Sequence, residues 1–135
     1  MNLSKREVLL ASGGPQPIGP YSVGIRAGGM VYVSGNIGID PATGELVEGG
    51  IEAETRQALT NLTAVLEAGG SNAGLVVKTT VFLADLDDYP KMNSVYAEFF
   101  SEAPPARSAV EVARLPKGAA VEIEAIAAVG MASGD

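Results

Sequence analysis

Between Ile51 and Ala68 the apolar side chains Ile51, Leu59, Leu62, Val65 and Leu66 recur at a spacing that makes one stripe on a helix, and Gly69-Gly70 follows as a stop signal. A second helix is predicted from about Tyr89. Asp87 and Asp88 favour its N-terminus, Pro90 is tolerated in its first turn, and Met92, Val95, Tyr96, Phe99 and Phe100 give it an apolar face. Pro104-Pro105 prevents its continuation. The remaining apolar runs read as strands. Tyr21–Ala27 and Met30–Ser34 form a hairpin joined at Gly28-Gly29, Val76–Leu83 is rich in β-branched residues, and Arg107–Arg114 and Ala120–Val129 flank Leu115-Pro116-Lys117-Gly118. Gly13 to Pro20 reads as a loop and Asp40–Gly44 as a turn, while Ala132–Asp135 reads as a frayed tail. The order ββ, helix, strand, helix, ββ predicts a single α+β domain, a mixed sheet of about six strands with two helices on one face.

The last strand says more. Alternation puts Glu122, Glu124, Ile126 and Ala128 on one face and Val121, Ile123, Ala125 and Ala127 on the other, so both faces are largely apolar. Two helices cover only one face of such a sheet. The other needs a partner, and a closed homo-oligomer is the economical answer.

Composition removes several chemistries. A net charge of −7 repels phosphate backbones, so no nucleic-acid partner is expected. With neither cysteine nor histidine there is no thiolate nucleophile and no common metal ligand or imidazole base; no metal and no cofactor are expected. The apolar piece Val8–Ala11 is too short for a leader core or a membrane span, which makes a cytoplasmic protein the default.

An arginine and two carboxylates, expected on facing strands, stand out because apolar residues would cost less there. Arg107 follows a Pro-Pro pair at a strand start, where its planar fork suits a carboxylate; the plainer reading is a surface arginine or a structural ion pair. Glu122 and Glu124 share a strand face, where one carboxylate could hold or activate water. They could equally be structural acids satisfied by Arg107, Arg114 or backbone. Tyr21 reads as a core aromatic, Ser34-Gly35 as a strand end, and Asn93 as surface.

Ile18-Gly19-Pro20-Tyr21, Val33-Ser34-Gly35-Asn36-Ile37, Val77 through Leu83, Met92-Asn93-Ser94-Val95-Tyr96, Pro105-Ala106-Arg107-Ser108 and Leu115-Pro116-Lys117-Gly118 through Ala125 together resemble the Rid (YjgF-type) family, also known as L-PSP endoribonucleases, in its archetypal RidA branch. The resemblance runs in order from Ile18 to Val129. It implies a chorismate-mutase-like fold, a homotrimer with ligand clefts between subunits, and cofactor-free hydrolysis of reactive 2-imino and 2-enamino acids, such as 2-iminobutanoate and 2-iminopropanoate, to 2-oxo acids and ammonia. It also assigns roles. Arg107 would anchor the substrate carboxylate, Glu122 would handle water with Glu124 in support, and Tyr21 would order water or the departing nitrogen. Ser34, Gly35 and Asn93 would line the pocket. Ala109, two residues beyond the arginine on the same strand face, stands where the family often has cysteine. The alternatives are a non-catalytic trimer that binds a 2-oxo acid or a protein and, less favoured by the acidic balance, an endoribonuclease or translation inhibitor.

Overall fold

Both helices lie on one face of a mixed sheet of six strands. The structure, a computed structural model, describes residues 5–130; the tail Ala132–Asp135 lies outside them. In chain order the elements are β1 (Glu7–Leu9), β2 (Gly24–Ala27), β3 (Met30–Asn36), β4 (Ile39–Asp40), β5 (Glu45–Leu46), α1 (Gly50–Ala68), β6 (Val76–Leu83), α2 (Tyr89–Phe99), β7 (Ala106–Glu111) and β8 (Val121–Ala128). The sheet runs β1-β2-β3-β8-β6-β7, with β4 and β5 forming a separate small ladder. Only β6 and β7 pair in parallel, and α2 supplies the connection that parallel strands need.

The hairpin pairs Ala27 with Met30 across Gly28 and Gly29, whose φ angles of 59° and 80° are those a two-residue type I′ turn requires. Its first strand begins at Gly24 and not at Tyr21, because pairing with β3 starts at Gly24 opposite Val33. Similarly, β7 ends at Glu111, short of the Arg114 expected. The sequence reading passed over β1 altogether; it pairs along the outer edge of β2.

The face of β8 carrying Val121, Ile123, Ala125 and Ala127 is buried beneath the helices with Leu59, Leu62, Leu66, Met92 and Val95. In packing this buried, a Leu→Ala change costs about 2–5 kcal/mol. The opposite face is open. Val8, Ile25, Tyr32, Ile126 and Lys78 stand in register across five adjacent strands, forming a row that ends in a single cation.

A second feature fixes where β8 begins. Glu54 of α1 is only 6 % exposed, and its carboxylate accepts a hydrogen bond from the Ala120 N–H at 2.8 Å. The Ala120 carbonyl in turn accepts from Ala84 N–H at 3.0 Å, so both backbone polar groups of Ala120 are held two residues before Glu122. Gly38 allows α1 this close: a Cβ there would lie 2.7 Å from Glu54 Cα.

Candidate active site

On α2, Tyr89, Asn93 and Tyr96 are spaced four and three residues apart and therefore share one side of the helix. Across from them, Arg107 is the second residue of β7 and pairs with buried Thr79 of β6, so its side chain rises on the helix side of the sheet. The guanidinium donates from Nη1 to Asn93 Oδ1 at 2.8 Å and from Nη2 to the Tyr89 hydroxyl at 2.7 Å. Its carbon lies 4.7 Å from the Tyr96 ring centroid and 5.3 Å from that of Tyr89. Stacking and two directed hydrogen bonds fix the plane of the fork before any ligand arrives. Burial pushes the Tyr96 hydroxyl pKa up, against the hydrogen bond shared with Thr79 at 2.7 Å and the positive charge of Arg107. The hydroxyl thus stays protonated and neutral beneath the arginine. Beyond it, Arg107, Phe100, Pro104 and Pro105 border an open groove of about 470 Å³.

The carboxylate belongs to the other side of the sheet. Glu122 pairs with Phe82 on the open face, and the pairing of β3 with β8 slips between Val33 and Asn36, which leaves Ser34 and Gly35 in a bulge beside it. There the Glu122 side chain lies flat against Gly35: a Cβ at position 35 would stand 2.8 Å from Glu122 Cδ and closer still to Oε2. Burial raises the pKa of Glu122 above the usual glutamate range, and the like charge of Glu124 raises it further. Ser34 donates its hydroxyl to the Ser22 carbonyl at 2.6 Å, and Asn36 Nδ2 donates to the Ser34 carbonyl at 2.9 Å. Both side chains therefore brace the bulge. Tyr21 is 46 % exposed, and its oxygen accepts a long 3.4 Å bond from Ile18 N–H. It shares with Gly35 a cavity of about 160 Å³.

The six residues expected at the site thus separate into two groups within one chain. Arg107 and Asn93 meet on the helix side, where Asn93, read from its own position as surface, becomes the acceptor that orients the arginine. Glu122, Gly35, Ser34 and Tyr21 gather around the bulge. The sequence reading placed the arginine and the two glutamates on facing strands; that is corrected here, because β6 lies between β7 and β8 and the two side chains leave opposite faces. The pairing of Glu122 or Glu124 with Arg107 or Arg114 is likewise not seen. Among the described residues the ion pairs are Arg26–Glu7 and Arg56–Glu98. Glu124 is exposed, and its like charge acts on Glu122.

Tyr89 and Tyr96 were missed as site residues, having been read as a helix start and part of an apolar face. The signal was the shared stripe with Asn93. Ala109 sits beside Val81, on the same face as Arg107 as predicted. Among the described residues no acidic cluster could hold a metal ion, and no helix is long and apolar enough to cross a membrane.

The chain as a whole has known relatives. Residues 12–129 match the family model described as Endoribonuclease L-PSP. The chain is 54 % identical to a RutC family protein of Pyrococcus horikoshii over 122 residues, 90 % of this chain and 97 % of the archaeal one. It is 47 % identical to the 2-iminobutanoate/2-iminopropanoate deaminase of Bos taurus over 125 residues, 93 % and 91 % of the two chains. The crystal structure of YyfA from Yersinia pestis, of the conserved Rid protein family, superposes with a TM-score of 0.89 at 47 % identity, covering 93 % of this chain and all of that one. A match over nearly the whole length, in both sequence and fold, makes this chain a member of the Rid (YjgF-type, L-PSP) family.

Proposed function

We propose that the protein is a cofactor-free hydrolytic deaminase that converts 2-imino and 2-enamino acids, among them 2-iminobutanoate and 2-iminopropanoate, to 2-oxo acids and ammonia. The observation that carries this reading is the pairing of chemistries in the two groups: a guanidinium held with its plane fixed, and a half-buried carboxylate resting on a bare glycine with its pKa raised. The deaminase name borne by relatives at 46–47 % identity supports it.

The two groups leave opposite faces of one sheet, so a site using both requires a second copy of the chain. The in-register row Val8, Ile25, Tyr32 and Ile126 on the open face gives such a copy an apolar surface to cover. A closed homotrimer, sedimenting at about three times the chain mass, completes the proposal.

In that cleft Arg107 grips the substrate carboxylate with N–H donors, and water held by Glu122 attacks C2 of the iminium. The carbon–oxygen bond forms as the C=N π electrons move onto nitrogen, and Glu122 takes the proton released by the water. Returned to nitrogen, that proton makes ammonia the leaving group; the C–N bond breaks as the C=O bond forms, and the hydroxyl proton passes by way of Glu122 to the departing ammonia, leaving the 2-oxo acid. One iminium and one water give one 2-oxo acid and one ammonium. The substrate carbon is already electrophilic, so positioning and a single proton relay suffice without histidine or cysteine.

The test couples the protein to a pyridoxal-phosphate-dependent threonine or serine dehydratase, which releases the enamine, and follows 2-oxo acid formation. Faster appearance with the protein is expected. An unchanged rate, together with calorimetric binding of 2-oxobutanoate, would give the site to a non-catalytic 2-oxo-acid binder.

A further inference from the structure

Two polar residues of α1, Glu54 and Asn61, are buried and hydrogen-bond to backbone outside the helix. With Gln57 between them they follow a three- and four-residue spacing and so share one side of α1. The mechanism above uses neither. Burying a carboxylate is costly, and an apolar residue of like size is often as stable in such a place, so core packing alone does not account for Glu54.

The two places they reach bracket one contact. Glu54 accepts from the Ala120 N–H at 2.8 Å, two residues before Glu122. Asn61, itself oriented by a hydrogen bond from Gln57 at 2.9 Å, donates to the Ile39 carbonyl at 2.8 Å, four residues past Gly35. Between these points Gly38 lies against the Glu54 backbone, where a Cβ would stand 2.8 Å from the Glu54 carbonyl oxygen. The ladder does not hold this region by itself. Pairing of β3 with β8 slips between Val33 and Asn36, so the contact of Gly35 with Glu122 falls where the regular register is interrupted. The helix and the Glu122 carboxylate are on opposite faces of the sheet, and α1 acts on that carboxylate through the backbone.

We infer that Glu54 is a positioning residue for Glu122: it ties the start of β8 to the same helix to which Asn61 ties the chain leaving the bulge, and this fixed offset keeps the carboxylate seated on Gly35. The inference rests on the deaminase reading above and adds the residue that sets its water-handling geometry. The other ionisable groups of the open face and bulge are Glu124 on β8, Lys78 on β6, Tyr32 on β3 and Tyr21 ahead of β2, and a change at Glu54 leaves all four in place.

Two variants separate the hydrogen bond from the charge. Glu54→Met keeps an unbranched side chain of similar length without the carboxylate, whereas Glu54→Gln discards the charge and keeps an oxygen to accept from Ala120 N–H. Carbon-13 NMR titration of the Glu122 carboxyl, assigned by loss of its signal in Glu122→Gln, is read beside dehydratase-coupled kinetics. In Glu54→Met the carboxylate leaves its half-buried seat for water, so its titration should move to lower pH. There kcat should fall about 10- to 100-fold, while KM, set by Arg107, stays within about twofold. Glu54→Gln should restore the titration and most of kcat. Leu59→Ala, a fully buried truncation on the same helix, should lower the melting temperature and leave the Glu122 titration where it is. Parental titration and kcat in Glu54→Met overturn the inference. So does a Gln variant that behaves like Met, which gives the effect to the lost charge, or a titration moved equally by Leu59→Ala, which gives it to general loosening. A Glu54→Met chain that fails to fold beside a folded Leu59→Ala makes Glu54 structural and overturns it likewise. Each of these leaves the deaminase reading standing, whereas a parent protein that accelerates no imine removes both.

Discussion

Gly35→Ala separates the chemistry from the fold more cleanly than a change to either charged residue. The new Cβ would stand 2.8 Å from Glu122 Cδ and 3.0 Å from Cγ. Carbon atoms rest at about 3.5–4.0 Å, so the carboxylate has to swing away by roughly an ångström. The backbone itself is not strained, because Gly35 is absent from the glycines with left-handed φ. Removing glycine's freedom from the unfolded chain favours the variant by about 0.4–1 kcal/mol. Forcing Glu122 from its rotamer costs about 0.5–1.5 kcal/mol. The two nearly cancel, and the melting temperature should move by no more than about 4 °C. Turnover has no such compensation: a displaced proton acceptor forfeits about 10²–10⁴ in rate. The assay is dehydratase-coupled kcat/KM beside thermal melting. Gly38→Ala is the control, since its Cβ meets the Glu54 backbone at 2.7 Å and 2.8 Å, which cannot swing aside, and it should lower the melting temperature sharply. Near-parental turnover by a normally folded Gly35→Ala protein would refute Glu122 as the water-handling group.

Arg107→Lys keeps a charge but loses the fork that meets Asn93 and Tyr89 and stacks on Tyr96, so kcat/KM should fall by about 100-fold or more with melting nearly unchanged; turnover close to the parent's would end the anchoring role. Glu124→Gln tests the electrostatics of the open face. Glu122 works only when ionised and its pKa is raised, so catalysed rate over uncatalysed rate should climb with pH through a limb above the ordinary glutamate range. Removing the Glu124 charge lowers the Glu122 pKa, and the limb should move to lower pH; a limb that stays still or moves up contradicts the coupling.

What the sequence revealed is what local periodicity encodes. The β-branched run Val76–Leu83 is β6 to the residue, and the apolar stripe from Ile51 is α1. Alternation along β8 sorted its buried face correctly, residue by residue. Short pieces escaped because three residues at Glu7–Leu9, or two at Ile39–Asp40, carry too little pattern to distinguish a strand from a turn. Strand order escaped for a different reason. Alternation gives the two faces of each strand, but which strand neighbours which, and in what register, depends on contacts between residues far apart in the chain. Thus Arg107 and Glu122 were each picked out, while their separation by β6 and their opposite faces were not. Asn93 looked like surface because its partner lies 14 residues on, in another element.

The placement of the guanidinium and the carboxylate on opposite faces has a kinetic consequence under the shared-cleft reading. A lone chain, whose core lies between its own helices and sheet, holds only half of any such centre, so being folded and being active become distinct conditions. Specific activity then depends on how much protein is present, falling on dilution before any loss of secondary structure and recovering when the chains are concentrated again. On that reading, a substitution in the open-face row of Tyr32 and Ile126, far from any reacting atom, would silence activity simply by raising the concentration at which it switches on.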